Sequence, residues 1–414
     1  LALLVYPRRR PPRNGPRRTG GHNVTHKQRL LAACRGGVPD RLPWVPRLDL
    51  WYQARRRAGT LPPRFTGMTL REITEAMGVG YHAVVPDFQD LRRADDAVDR
   101  CLGISRLRTM PFETRLRGVE REVRVEGDTT RVRYHTPAGT VSCAFRYSEE
   151  MRRAGITISW IEEHVLKGPE DVPALAHLFA NLEVVPTYDQ YRAWQEWVGE
   201  SGLAVAYGNS GASPMHHILH DLMDPTAFFL ALYDWPEQLQ ALAESMERWF
   251  RDSFAALVAS PAEIIFVGAN YDEMITYPPF FARHLLPWLQ ELSALAHRHR
   301  KLLLTHTDGE NQGLLPLYRE AGFDIADSLC PAPMTKVTLA EAIEALPDIT
   351  IWGGIPSVAL LEGSMSDADF ARLIDETIAL ARGRPHLILG IADTTPAGAS
   401  WERIEAITQR VAAA

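Results

Sequence analysis

The chain has 414 residues, of which 46% are hydrophobic and 23% charged, with a formal net charge of −6. That length can bury one large α/β core or two ordinary domains, and so modest a charge gives no electrostatic case for nucleic acid or an anionic membrane as partner. No apolar run approaches the roughly 18 residues of a membrane-spanning helix, and the four cysteines (Cys34, Cys101, Cys143, Cys330) form no Cys-x-x-Cys pair, which reads as reduced thiols in a cytoplasmic protein.

Residues 1–23 differ from the rest, with six arginines, four prolines and no acidic residue. Such a segment buries too little apolar surface to offset its ordering entropy, so it is expected to be a disordered basic tail. From residue 24 to residue 414, strand-like apolar runs alternate with helical patterns. Lys27 to Arg35 predicts a helix, Leu42 to Leu48 a first strand, Thr69 to Met77 a helix and Tyr81 to Pro86 a second strand. Within a β-rich insertion of about 100–165, Val119 to Tyr147 alternates with a two-residue period around the turn signals Gly127-Asp128 and Pro137-Ala-Gly139. This predicts a small antiparallel meander after the second strand, forming a flap over one end of the fold.

The third strand is expected at Leu203 to Tyr207, followed by the turn Gly208-Asn-Ser-Gly-Ala-Ser-Pro214 and one long helical region from Pro225 to Val258. Strands four to eight are Glu263 to Val267, Lys301 to Thr305, Asp324 to Leu329, Ile349 to Trp352 and His386 to Leu389. Each is followed by a helical stretch: Pro278 to His299, Leu314 to Glu320, Leu339 to Leu346, Ala368 to Ala381 and Trp401 to Val411. Eight strand–helix units predict a (β/α)8 TIM barrel, distorted and carrying the inserted meander. The rival is a doubly wound open sheet, but no Gly-x-Gly-x-x-Gly follows any strand.

In a barrel, chemistry collects at the carboxyl ends of the strands. Those ends hold Arg47 and Asp49; Asp87; Asn209, Ser210 and Gly211; Asn270, Asp272 and Glu273; His306 and Asp308; Cys330; Gly353 and Gly354; and Asp393. Glu273, His306 and Cys330, with Asp308 as a possible fourth, offer a carboxylate, an imidazole and a thiolate, which suit zinc. Their wide spacing matches no compact zinc motif, so a core cysteine beside an ordinary hydrogen-bonding histidine is the competing reading. Arg47, inside an apolar strand, could clamp a substrate carboxylate or phosphate, or pair with Asp49 or Asp87. Asp87 is a candidate base or an orienter of Arg47, and Asp393 a candidate hydrogen-bonding or catalytic group. Asp49, Asn209, Ser210, Gly211 and Gly354 complete the candidate substrate contacts. His216 and His220 form an i,i+4 pair, but without the His-Glu-x-x-His pattern of a zinc protease.

Several of these segments resemble one family. Lys27-Gln-Arg-Leu-Leu-Ala-Ala, Pro39-Asp-Arg-Leu-Pro43, Pro46-Arg-Leu-Asp-Leu-Trp-Tyr52, Leu61-Pro-Pro-Arg, Gly208 to Pro214, His306-Thr-Asp-Gly309, Gly353-Gly-Ile355 and Thr395-Pro are similar to motifs of the uroporphyrinogen decarboxylase superfamily. The resemblance spans Thr25 to the end and implies a distorted (β/α)8 barrel. It leaves two activities open. Uroporphyrinogen decarboxylases work without a cofactor and hold the acidic side chains of a tetrapyrrole with arginines and an aspartate. Arg47 and Asp87 match, but Trp51 stands where a second arginine is expected, and Gly390-Ile-Ala-Asp393 replaces Gly-His-Gly. In the other branch, corrinoid-dependent methyltransferases, zinc activates the group that exchanges a methyl with cobalamin on a partner protein. His306 matches the histidine of that branch's His-x-Cys-Gly, and Asp308 replaces its cysteine. The resemblance thus implies zinc-assisted methyl transfer between a small-molecule substrate and a corrinoid protein. The alternatives are cofactor-free decarboxylation of a porphyrinogen or smaller carboxylate, and a non-catalytic barrel that binds a tetrapyrrole or a corrinoid protein.

Overall fold

The structure is a computed structural model and describes residues 24–414; the expected basic tail lies outside the described residues. Its centre is a parallel sheet of six strands. In spatial order they are Leu387–Ala392, Thr350–Pro356, Ile325–Leu329, Leu302–His306, Ile264–Ala269 and Ala206–Tyr207. Each strand pairs with its neighbour in sequence, and every pairing is parallel. Five of these strands are buried at every position. Continuous burial follows from helices covering a parallel sheet, and it explains why these runs read as apolar rather than alternating.

The first two expected strands are not regular. The Trp44 segment makes a single parallel bridge to Leu389 and the Tyr81 segment one to Gly202. Backbone bonds still tie them in: Val45 N donates to Leu389 O (2.9 Å), Leu389 N to Pro43 O (3.0 Å), Gly80 N to Trp44 O (3.0 Å), Tyr81 N to Ser201 O (2.7 Å) and Val205 N to Ala83 O (3.1 Å). Pro43, Pro46 and Pro86 supply no N–H, so neither segment can carry a full ladder.

The expected meander is present as Glu120–Glu126, Thr129–Thr136 and Gly139–Arg146, extended by a fourth strand, Trp160–Glu163. Val132, Tyr134, Val141 and Cys143 turn inward while Arg131 and Arg133, alternating with them, are exposed, so one face packs and the other meets solvent. Buried Asp99 anchors that inner face, taking a hydrogen bond from Tyr134 Oη (2.9 Å) and ion pairs from Arg106 and Arg121. A second antiparallel pair, Phe112–Leu116 with Leu182–Pro186, was not anticipated.

The long helix expected over Pro225 to Val258 is two helices, Pro225–Asp234 and Pro236–Ala259. Trp235 is non-helical (φ −146°, ψ 58°) because Pro236 disfavours the α conformation in the residue before it. The helix Asp49–Ala58 was also not foreseen. Asp49 opens it, where a carboxylate suits the helix dipole. Among the described residues no helix is long and apolar enough to cross a membrane, and all four cysteines are buried free thiols.

Candidate metal centre

The strands Leu302–His306 and Ile325–Leu329 place His306 and Asp327 side by side in parallel register. Both are almost fully buried. A carboxylate in such a strand needs a partner, and it has one: His306 Nδ1 donates to Asp327 Oδ2 at 2.6 Å. The opposite ring nitrogen, Nε2, lies 3.1 Å from Asp393 Oδ1. The ring is thereby clamped between two carboxylates, one behind it and one in front.

Asp393 follows the last strand and is the hub of the site. Its Oδ1 also accepts from Arg47 and from Ser328 Oγ (3.0 Å). Ser328 reaches it because the register between Ile325–Leu329 and Thr350–Pro356 shifts between Asp327 and Leu329, and Ser328 there adopts φ 62°. This bulge turns a strand residue toward the site at some backbone cost. Asp308 stands on the other side, accepting a hydrogen bond from Cys330 Sγ (3.2 Å). One ligand-type atom each from His306, Asp308 and Asp393 lies within 4.8 Å of the others.

The electrostatics follow from these contacts. Burial alone would lower the His306 pKa, but the Asp393 charge and the hydrogen bonds to Asp327 and Asp393 overcome it and push the pKa up to about 10. Burial would raise Asp393, yet Arg47 and His306 hold its carboxyl well below the usual range. Burial and the Asp393 charge push Asp308 up, and burial with the neighbouring Asp308 pushes the Cys330 thiol up.

The sequence-derived candidates divide accordingly. His306, Asp308, Asp393 and Arg47 come together. Arg47 Nε also pairs with Asp49 (3.2 Å). Cys330 is adjacent but is a thiol donating to Asp308, because burial beside a carboxylate disfavours the thiolate expected of it. Glu273 does not join the cluster: its carboxylate accepts from Gly313 N and pairs with Lys336 Nζ (3.2 Å). Asp87 is exposed and accepts from Gln89 N (2.8 Å), while Arg47 is taken by Asp49 and Asp393 instead. Asn209 is buried, and its Nδ2 has no hydrogen-bond partner among the described residues. Ser210 Oγ meets Tyr207 Oη at 2.6 Å. Gly211 packs where an added Cβ would lie 2.8 Å from the His217 Cα. Gly354 is buried in register with Gly390.

Three site residues escaped the sequence reading: Asp327, Ser328 and His82. Asp327 and Ser328 interrupt an apolar strand, a signal that was visible. His82 packs edge-on to Trp352 (6.0 Å), and burial, with the Arg47 charge, lowers its pKa to about 4 against the pull of Asp327.

The donor set fits a divalent cation. One imidazole nitrogen and two carboxylates are proper ligands for zinc or a similar metal. Asp327 on Nδ1 leaves Nε2 as the coordinating atom, which is the usual outer support of a metal-bound histidine.

No family model matches the chain, and no curated protein matches it. Among solved structures it is similar to a methyltransferase from Methanosarcina mazei, at 14% identity over 94% of this chain and 99% of that one, with a TM-score of 0.49.

Proposed function

We propose that this chain is a distorted (β/α)8-barrel enzyme of the uroporphyrinogen decarboxylase type. In this reading it is a methyltransferase that exchanges a methyl group between a small molecule and a corrinoid carried by a partner protein. A divalent metal such as zinc, held by His306, Asp308 and Asp393, would assist it. The barrel reading is supported by the backbone bonds through Pro43–Val45 and Gly80–Ala83, which link the two outer strands of the six-stranded sheet. The observation that carries the activity is the clamped His306, with Asp327 behind it and two carboxylates in front.

A cation bound there supplies Lewis acidity, lowering the pKa of a thiol or hydroxyl so that it is a nucleophile near neutral pH. The chain's own residues prepare that site. Asp327 sets the His306 tautomer and ring angle. Arg47 and Ser328 orient Asp393, and Cys330 steadies Asp308.

The same contacts weigh against the decarboxylase alternative. Arg47, the residue expected to grip a substrate carboxylate, is already paired with Asp49 and Asp393. Asp49, Asp308, Asp327 and Asp393 surround it, and so acidic a wall repels a substrate bearing several carboxylates.

The test is metal analysis of protein purified without chelator, together with methyl transfer from methylcobalamin to 2-mercaptoethanol followed by cobalamin absorbance. Stoichiometric metal and turnover are expected in the wild type, and both should be lost in His306→Ala. Metal-free wild-type protein, or turnover that survives His306→Ala, would overturn the reading.

A further inference from the structure

The turn containing His216, His217, His220 and Asp221 is unused by the metal centre, yet it is built with similar care. Residues Ile218–Leu222 form a π-helical turn, a distortion of α-helix that recurs at functional sites. Asp221 is 2% exposed. Its Oδ1 accepts from Arg100 (2.7 Å) and its Oδ2 from His220 Nδ1 (3.0 Å). Burial would raise the Asp221 pKa, but His220 and Arg100 beside it hold it well below the usual range, so it is a carboxylate and can only accept. His220 must therefore carry its proton on Nδ1, which leaves Nε2 as its accepting nitrogen.

That nitrogen faces the site end of the sheet. Asn270 Nδ2 lies 3.4 Å from His220 Nε2. Asn270 follows the strand Ile264–Ala269, is exposed, and takes φ 59°. Its own N–H donates to His306 O at 3.0 Å. The side chain of His220 is 17% exposed, which gives the ring a route to water.

A purely structural role does not account for this ring. The segment Asp96–Leu102 is already pinned to the turn by Arg100 on Asp221 and by His217 Nε2 donating to Leu102 O (2.8 Å). Gly103, at φ 65°, lets the two meet, since an added Cβ would lie 2.3 Å from His217 and 2.8 Å from Asp221. His217 Nδ1 is 3.8 Å from Asp221 Oδ2, too far to compete for that oxygen. The arrangement is a histidine oriented by a buried aspartate, with its second nitrogen outward, which is the layout of a general base.

We propose that His220 is the proton acceptor of the reaction at this mouth, taking the proton from the thiol or hydroxyl that receives the transferred group. The S–H or O–H bond breaks, its electron pair stays on sulfur or oxygen, and the proton passes to His220 Nε2 and then to water. Asp221 stabilises the imidazolium meanwhile. Arg100, His164, Tyr207, His216, His217 and Asp224 are the other charged or titratable groups around the dyad. This role rests on the methyl-transfer reading.

The test uses the full-length, metal-loaded protein with methylcobalamin and 2-mercaptoethanol. His220→Ala should retain bound metal and lose about 100-fold or more in turnover, the usual scale of general-base catalysis, with recovery on adding imidazole. His220→Gln, which keeps a donor toward Asp221, should be as slow and gain nothing from imidazole. Independently of turnover, nitrogen NMR of labelled histidine should show neutral His220 as the Nδ1–H tautomer. Turnover within about twofold of wild type in His220→Ala, or a loss that imidazole does not restore, or an Nε2–H tautomer, overturns the proposal while leaving the metal centre intact. Absence of turnover in the wild type removes the methyl-transfer reading itself, and this role with it.

Discussion

His306 and His217 are both buried, yet their surroundings drive them in opposite directions. His306 sits between two carboxylates and is pushed up to about 10. His217 faces a backbone carbonyl and aromatic rings, and burial lowers it. Burial opposes charge in both, so the partners decide the outcome. One region is an electrostatic knot that holds a charged imidazole. In the other, aromatic rings and burial outweigh the more distant Asp221 and keep the histidine neutral.

The largest effect that would break this contrast is removal of the group behind His306. Asp327→Asn should weaken metal binding by about 10–100-fold, the usual size of such outer contacts, read by competition with a chelator. Binding as tight as wild type would mean that His306 needs no carboxylate support.

Next comes pH. In the metal-free protein His306 has a folded pKa raised from 6.5 to about 10. Its contribution to stability is therefore complete below the unfolded value and is lost as pH rises toward 10. The thermal midpoint of metal-free protein should fall between those values, and His306→Gln should flatten that slope. An equally steep slope in the variant would assign the alkaline loss to other groups. On the neutral side of the comparison, His217→Leu strands the Leu102 carbonyl and should cost about 1–3 kcal/mol, measured by denaturant unfolding, with no new slope between pH 5 and 7. The smallest effect is expected from Cys330→Ser, which keeps a donor to Asp308 and should change metal affinity by less than about threefold, since one neutral hydrogen bond is worth only about 1 kcal/mol net.

Much of this was legible before the structure. The mostly apolar, buried strands from Ile264–Ala269 to Leu387–Ala392, with a proline only at the last position of one, lie close to where their patterns put them. The segments around Trp44 and Tyr81 read equally well as strands, but missing proline donors leave them with one bridge each. In the site, the polar tips His306, Asp308, Asp393 and Arg47 were found because a strand end is a local signal. Asp327 was missed because it lies within its strand, and its meaning depends on register with His306. Glu273 was misplaced because its carboxylate answers to Lys336 and Gly313, contacts set by loop paths that sequence spacing does not encode. His220 gained its meaning only from Asn270 and Arg100, both distant in sequence.

The sparse ladder around Trp44 and Tyr81 has a consequence for how the site behaves as a mechanical object. His306, Asp327 and Asp393 stand on or directly after strands of the parallel sheet, whereas Arg47 and His82 stand on segments held by a few backbone bonds. Segments with few such bonds open at lower free energy than the strands beside them. The centre is thus an anvil with one hinged jaw: the ligand-bearing wall is stiff, and the arm that carries Arg47 can yield and loosen its hold on Asp393.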